Sequence, residues 1–185
     1  MPGTNLTRDE AATRASLLDV TSYAIDLDLT TGDTHFGSTT TIVFGCREPG
    51  ASTFADLVGA TVHEITLNGE HVDVAAYADS RIALTGLAAE NTLVVKADCT
   101  YSHTGEGLHR FVDPADDRVY LYTQFEVPDA RRVYTTFEQP DLKAPYTFTV
   151  TTPAGWVTSS NATTPEPEPL ADGGQDKLVW RFGAT

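Results

Sequence analysis

Nothing in these 185 residues approaches the roughly 20-residue apolar run that a membrane helix needs, and the polar N-terminus has no apolar segment of a secretory signal. A soluble, cytoplasmic protein is therefore expected, with no membrane partner. Basic residues are scarce, 12 against 26 acidic ones, and the formal net charge of -14 argues against nucleic acid or an anionic surface as partner. Cationic ligands suit such a chain better, although an acidic balance is also simply a solvated surface. Cysteine is nearly absent: only Cys46 and Cys99 occur, too few for a disulfide framework, and both are expected as buried free thiols.

Catalytic signatures are missing as well. A zinc hydrolase needs ligands at helical spacing, as in His-Glu-x-x-His; His63-Glu64 opens that pattern, but Leu67 stands where the second histidine belongs. No Gly-x-Ser-x-Gly elbow is present, and neither cysteine has a cue for thiolate activation. Gly105 to Arg110 is glycine-rich yet lacks the spacing of a phosphate cradle, so a turn is expected there. Asp113, Asp116 and Asp117 lack the glycine and distal glutamate of a calcium loop. No catalytic residue and no metal ligand set emerges from the residues themselves.

What is present is a strand pattern. The 41% apolar content suffices for one ordinary core. Residues 1–18 hold one short helix, opened by the capping box Thr7-x-x-Glu10, and residues 19–185 read as an all-β sandwich of short antiparallel strands. Tyr23, Ile25, Leu27 and Leu29 alternate with polar residues, the period of a half-buried strand. Further strands are expected at His35 to Cys46, Thr61 to Leu67, His71 to Ala75, Arg81 to Leu84, Thr92 to Tyr101, Tyr146 to Thr152, Trp156 to Ser159 and Lys177 to Phe182, with a tight hairpin at Asn68-Gly69. Thr163 to Gly174, rich in Pro, Glu and Gly, reads as a flexible loop. The last strand ends without a polar tail, as if the chain were cut from a longer one.

The most specific stretch runs from Tyr120 to Val150. Val119 to Glu126 reads as the central strand, so Gln124 and Glu126 are expected on one face, about 7 Å apart. Two readings stay open: an edge strand with two polar residues, or a site in which Glu126 pairs with a cation while Gln124 orients a neighbouring group. Pro128 to Arg132 suits a single helical turn, and Asp129, Arg131 and Arg132 read first as a surface ion-pair cluster, with an inter-domain dock as the alternative.

Three blocks in this stretch, Thr123-Gln124-Phe125-Glu126, Asp129-Ala130-Arg131-Arg132 and Phe137-Glu138-Gln139-Pro140-Asp141-Leu142-Lys143-Ala144, resemble the N-terminal β-domain of the aminopeptidase N family, the M1 zinc metallopeptidases. Weaker likenesses at Tyr23 to Leu29, Thr66 to Gly69, Gly107 to Arg110, Trp156 and Ser160-Asn161 extend it over nearly the whole chain. The resemblance implies a saddle-shaped β-sandwich packed against a thermolysin-like catalytic domain. It implies that Glu126 binds the free α-amino group of a peptide substrate and that Gln124 lines the pocket for its first side chain. It further implies that zinc belongs to the parent enzyme and not to this fragment, because the family's His-Glu-x-x-His and Gly-x-Met-x-Asn segments lie in the next domain. The fragment alone is then expected to be inactive. The alternative is a free-standing β-sandwich module that binds a carbohydrate or a protein.

Overall fold

A computed structural model describes residues 5–171 and 176–185. Helix α1 (Arg8–Leu17) opens with the expected capping box: the backbone N–H of Thr7 donates to Glu10 Oε2 at 2.8 Å, and the N–H of Glu10 donates to Thr7 Oγ1 at 3.3 Å. The chain passes directly from α1 into β1 (Leu18–Asp28) and returns antiparallel as β2 (His35–Cys46). Then follow β3 (Thr53–Asp56), β4 (Thr61–Leu67), β5 (Glu70–Val72), β6 (Tyr77–Ala78), β7 (Arg81–Leu84) and β8 (Glu90–Thr100). The second half holds β9 (Gly107–Val112), β10 (Val119–Gln124), β11 (Tyr146–Pro153), β12 (Glu168–Pro169) and β13 (Lys177–Arg181).

These strands make three sheets. The large one has eight strands in the order β12-β13-β11-β1-β2-β8-β4-β5; the others are β3-β7-β6 and the ribbon β10-β9. All pairings are antiparallel except β1 with β11, which run side by side with Tyr23 opposite Tyr146. Those two rings stack, with centroids 4.5 Å apart. The architecture is an all-β sandwich with one short helix.

Alternation decides which face is buried. In β1, Tyr23, Ile25 and Leu27 point inward and Ala24 and Asp26 outward; in β2, Phe36, Ile42 and Phe44 do the same. Ala55, Ile82 and Leu84 join the core from the small sheet, Leu57 and Leu87 from the segments after β3 and β7, and Val133, Tyr134 and Phe137 from the segment after β10. Cys46 and Cys99 are buried and unpaired, as expected, and burial pushes the Cys99 thiol up to about 12.

Several expectations change. The central strands are β1 and β2, whereas Val119 to Glu126 gives a ribbon strand that stops at Gln124 and pairs only with β9. The expected turn at Gly105 to Arg110 becomes β9 from Gly107 onward. Gly107 has φ 61, and a Cβ there would stand 2.8 Å from Arg132 Cβ, so only glycine fits. At the Asn68-Gly69 hairpin both residues take positive φ, 57 and 82, as a two-residue turn requires. The return strand is shorter than expected, because Asp73 caps a 3-10 turn at Val74–Ala76. Trp156 to Ser159 is not a strand. The Pro-Glu-rich loop contributes Glu168 and Pro169 to a sheet edge, and its residues 172–174 lie outside the described ones.

Candidate functional site

The ribbon ends where the chain must turn. After Gln124 the strand pairing is over, and the Gln124 side-chain oxygen accepts the backbone N–H of Glu126 at 3.2 Å. The structure therefore brings the two residues together, but not as neighbours on one strand face. Glu126 lies one step beyond the strand, ahead of the cis bond between Val127 and Pro128. Both side chains are exposed, and the Glu126 carboxylate has no ion pair among the described residues. Phe125, between them, turns inward and meets the Tyr134 ring edge-on at 5.6 Å. An acceptor with free lone pairs, on a backbone held from both sides, is suited to receive a cation.

Behind this exposed end lies a brace of buried polar groups. The 3-10 turn Ala130–Arg132 forms as expected at the Asp-Ala-Arg-Arg block. Arg132 Nε binds Asp129 Oδ1 at 2.6 Å, while the Asp129 N–H donates back to Phe125 O at 3.1 Å. Arg131 departs from the surface reading: it is buried, its Nε donates to Pro128 O at 3.0 Å, and its backbone N–H donates to Glu138 Oε2 at 2.7 Å. Its position follows from the need to satisfy the carbonyls of the turn. Burial raises the Glu138 carboxyl above its ordinary range, and the Arg131 N–H draws it partly back.

The third block fastens to the rest of the fold. The Glu138 N–H donates to Asp56 Oδ2 at 3.1 Å, and the same oxygen accepts from Arg14 Nη1 at 2.8 Å. Arg14 and Asp56 are both 1% exposed. Arg14 Nε also donates to Gln139 Oε1 at 3.0 Å, and its guanidinium lies 4.8 Å from the centre of the Phe54 ring. Gln139 completes the circuit by donating to Ala11 O at 2.9 Å. Helix, small sheet and site segment are thus joined through one buried ion pair. Sequence reasoning missed Arg14 and Asp56. The signal available was an arginine inside an alanine-rich helix whose one carboxylate at i−4 spacing, Glu10, is already committed to the capping box.

Residues 20–185 match the family model of the Peptidase M1 N-terminal domain. The chain belongs to that family. Aminopeptidase N of Streptomyces lividans is 62% identical over 190 residues, an alignment that takes in the whole chain but 21% of that protein. The M1 N-terminal domain described here thus spans about a fifth of that relative's length.

Zinc is implied by the M1 family, and the donors among the described residues do not fit it. Among the described residues no three His, Cys, Asp or Glu side chains converge. The exposed pair His63 Nε2 and Asp98 Oδ2 stands at 2.9 Å, and Lys96 is held by Glu64 at 2.8 Å. No step is routed through a metal on this chain. Nor is any helix among the described residues long and apolar enough to cross a membrane.

A groove of about 1250 Å³ in the M1 N-terminal domain is bordered by residues of β10. Its lining includes residues 118–123 and 154–161, Leu108 of β9, and the apolar Tyr146, Phe148 and Val150.

Proposed function

We propose that this chain is the N-terminal, non-catalytic domain of a zinc-dependent aminopeptidase that removes single residues from the free N-terminus of peptides. The observation that carries this reading is the placement of Glu126: an exposed, unpaired carboxylate at the end of a ribbon, backed by a buried brace. An α-amine with an ordinary pKa near 8 is substantially protonated at neutral pH, and a carboxylate holds it by a charge-assisted hydrogen bond. Glu126 is the amine anchor. Gln124, tied to the Glu126 backbone, sets its position and borders the pocket for the first side chain.

Fixing the amine relative to the cleaving centre limits removal to one residue. That centre, with its zinc, belongs to the remaining polypeptide, which is also the domain's partner. The two free thiols suit a reducing cytoplasm.

The test is made in the full-length polypeptide. Glu126→Ala is expected to lower kcat/KM for aminoacyl anilides by about 10- to 150-fold, the equivalent of about 1.5–3 kcal/mol for a hydrogen bond to a charged group. Unchanged kinetics would remove the anchor from the account. The isolated 185-residue chain is expected to show no turnover with or without added zinc.

A further inference from the structure

Helix α1 stands ahead of residue 20, where the match to the family model begins, and little of its surface is fit to bury. A helix lying on a core normally offers an apolar stripe; the buried residues of α1 are Leu17, at its end, and a cation, Arg14. Polar contacts hold the helix instead. Arg47 Nη1 donates to the carbonyls of Ala15, Ser16 and Leu18, each at 3.0 Å, and so satisfies the last turn. Arg81 grips Glu10 with two donors, Nη1 to Oε1 at 2.6 Å and Nη2 to Oε2 at 3.1 Å, while its guanidinium lies 3.9 Å from the centre of the Phe54 ring.

Further bonds of this segment run to the stretch that follows Glu126. One guanidinium is shared: Arg131 Nη2 donates to Asn5 Oδ1 at 3.4 Å, and Arg131 Nε donates to Pro128 O at 3.0 Å, two residues beyond Glu126. Gln139, 6% exposed, is bonded to α1 by both ends of its amide: Oε1 accepts from Arg14 Nε at 3.0 Å, and Nε2 donates to Ala11 O at 2.9 Å. Its neighbour Glu138 accepts the Arg131 N–H at 2.7 Å, which joins the second line to the first. The turn after Glu126 is thus held, through Arg131 and Gln139, by groups that residues 5–14 contribute. A ten-residue helix is too short to stand alone in water, so α1 depends on these bonds and lends them its order in return.

We infer that residues 5–17 are a positioning element for the amine anchor. By fixing Arg131 and Gln139 they fix the Pro128 turn, and with it the direction from which the Glu126 carboxylate meets a substrate amine. This rests on the reading of Glu126 as that anchor. It adds that the anchor's geometry is set in part by a helix outside the family-matched residues, acting through other side chains. Freedom removed from the turn before binding need not be removed by the substrate.

Gln139→Met in the full-length polypeptide tests it. The change keeps the length of the side chain and removes both bonds to α1, while Arg14 keeps Asp56, so no buried charge is left alone. kcat/KM is measured on an aminoacyl anilide and on its analogue with a hydroxyl for the α-amine, in the wild-type and Glu126→Gln backgrounds. The expected result is a loss of about 5-fold on the amine substrate, little change on the hydroxyl analogue, and no further loss when Glu126 is already Gln. Equal losses on both substrates would reduce the segment to support of the fold and overturn the inference; so would unchanged kinetics on the amine. Should the melting midpoint of Gln139→Met fall below the assay temperature, Asn5→Ala, at an exposed position, is read in its place. An amine-selective loss of about 2-fold is then expected, and none would contradict the inference. An amine-selective loss in Glu126→Gln without one in these variants sinks the positioning role alone. Unchanged activity of Glu126→Gln on the amine brings down the anchor, and the positioning role with it.

Discussion

The Gln124 side-chain oxygen accepts the N–H of Glu126 at 3.2 Å, so the amide of one residue fixes the backbone of the other at the point where the ribbon ends. A carboxylate on an untethered loop would lose conformational freedom on binding a cation; this one has lost part of it beforehand.

The first expectation concerns that tether. Gln124→Met keeps the length of the side chain and removes the acceptor, and should lower kcat/KM of the full-length polypeptide by about 5-fold, the worth of one hydrogen bond near 1 kcal/mol. Gln124→Glu keeps an acceptor and should retain most activity. Steady-state kinetics on aminoacyl anilides distinguishes them, and equal loss in both variants would mean that the tether is not what matters.

A second expectation concerns the Arg14–Asp56 pair. Arg14→Met leaves Asp56 buried without its cation, and such a change costs about 3–5 kcal/mol. Chemical denaturation of the chain should show a large fall in midpoint. Asp56→Ala should cost as much or more, because Asp56 also accepts the Glu138 N–H and so holds the site segment.

Alkaline pH should unfold the chain through its buried acids. Burial raises Cys99 from 9.0 and Tyr101 from 10.0 to about 12 each. Between those values the unfolded chain ionises and the folded one does not, so the unfolded state binds fewer protons. Stability is complete below pH 9 and is lost progressively as pH rises toward 12. Thermal melts from pH 8 to 11 should show Tm falling from about pH 9, the unfolded-state onset of Cys99. In Cys99→Ala the decline should begin about one pH unit later, with Tyr101.

The strand framework was legible because alternation is a local signal: Tyr23, Ile25 and Leu27 declare their face without reference to any partner. The same logic failed at Trp156 to Ser159, where composition suits a strand but no described segment lies alongside. It also misplaced Val119 to Glu126, since periodicity shows that a stretch is extended and not where in a sheet it sits. Glu126 and Gln124 were visible as residue types in a specific order. The bond between them was not, because it depends on the strand ending at Gln124. Arg131 read as surface, since an arginine's burial is decided by carbonyls and carboxylates distant in sequence, here Pro128 and Glu138.

The claim that Glu126 anchors the substrate amine is tested most directly by a cycle with two enzymes and two substrates. Wild-type and Glu126→Gln full-length polypeptide are compared on an aminoacyl anilide and on its analogue with the α-amine replaced by a hydroxyl. The account predicts a loss of at least about 10-fold in kcat/KM on the amine substrate, with little change on the hydroxyl analogue, because only the charged amine uses the carboxylate. An equal loss on both substrates would contradict it.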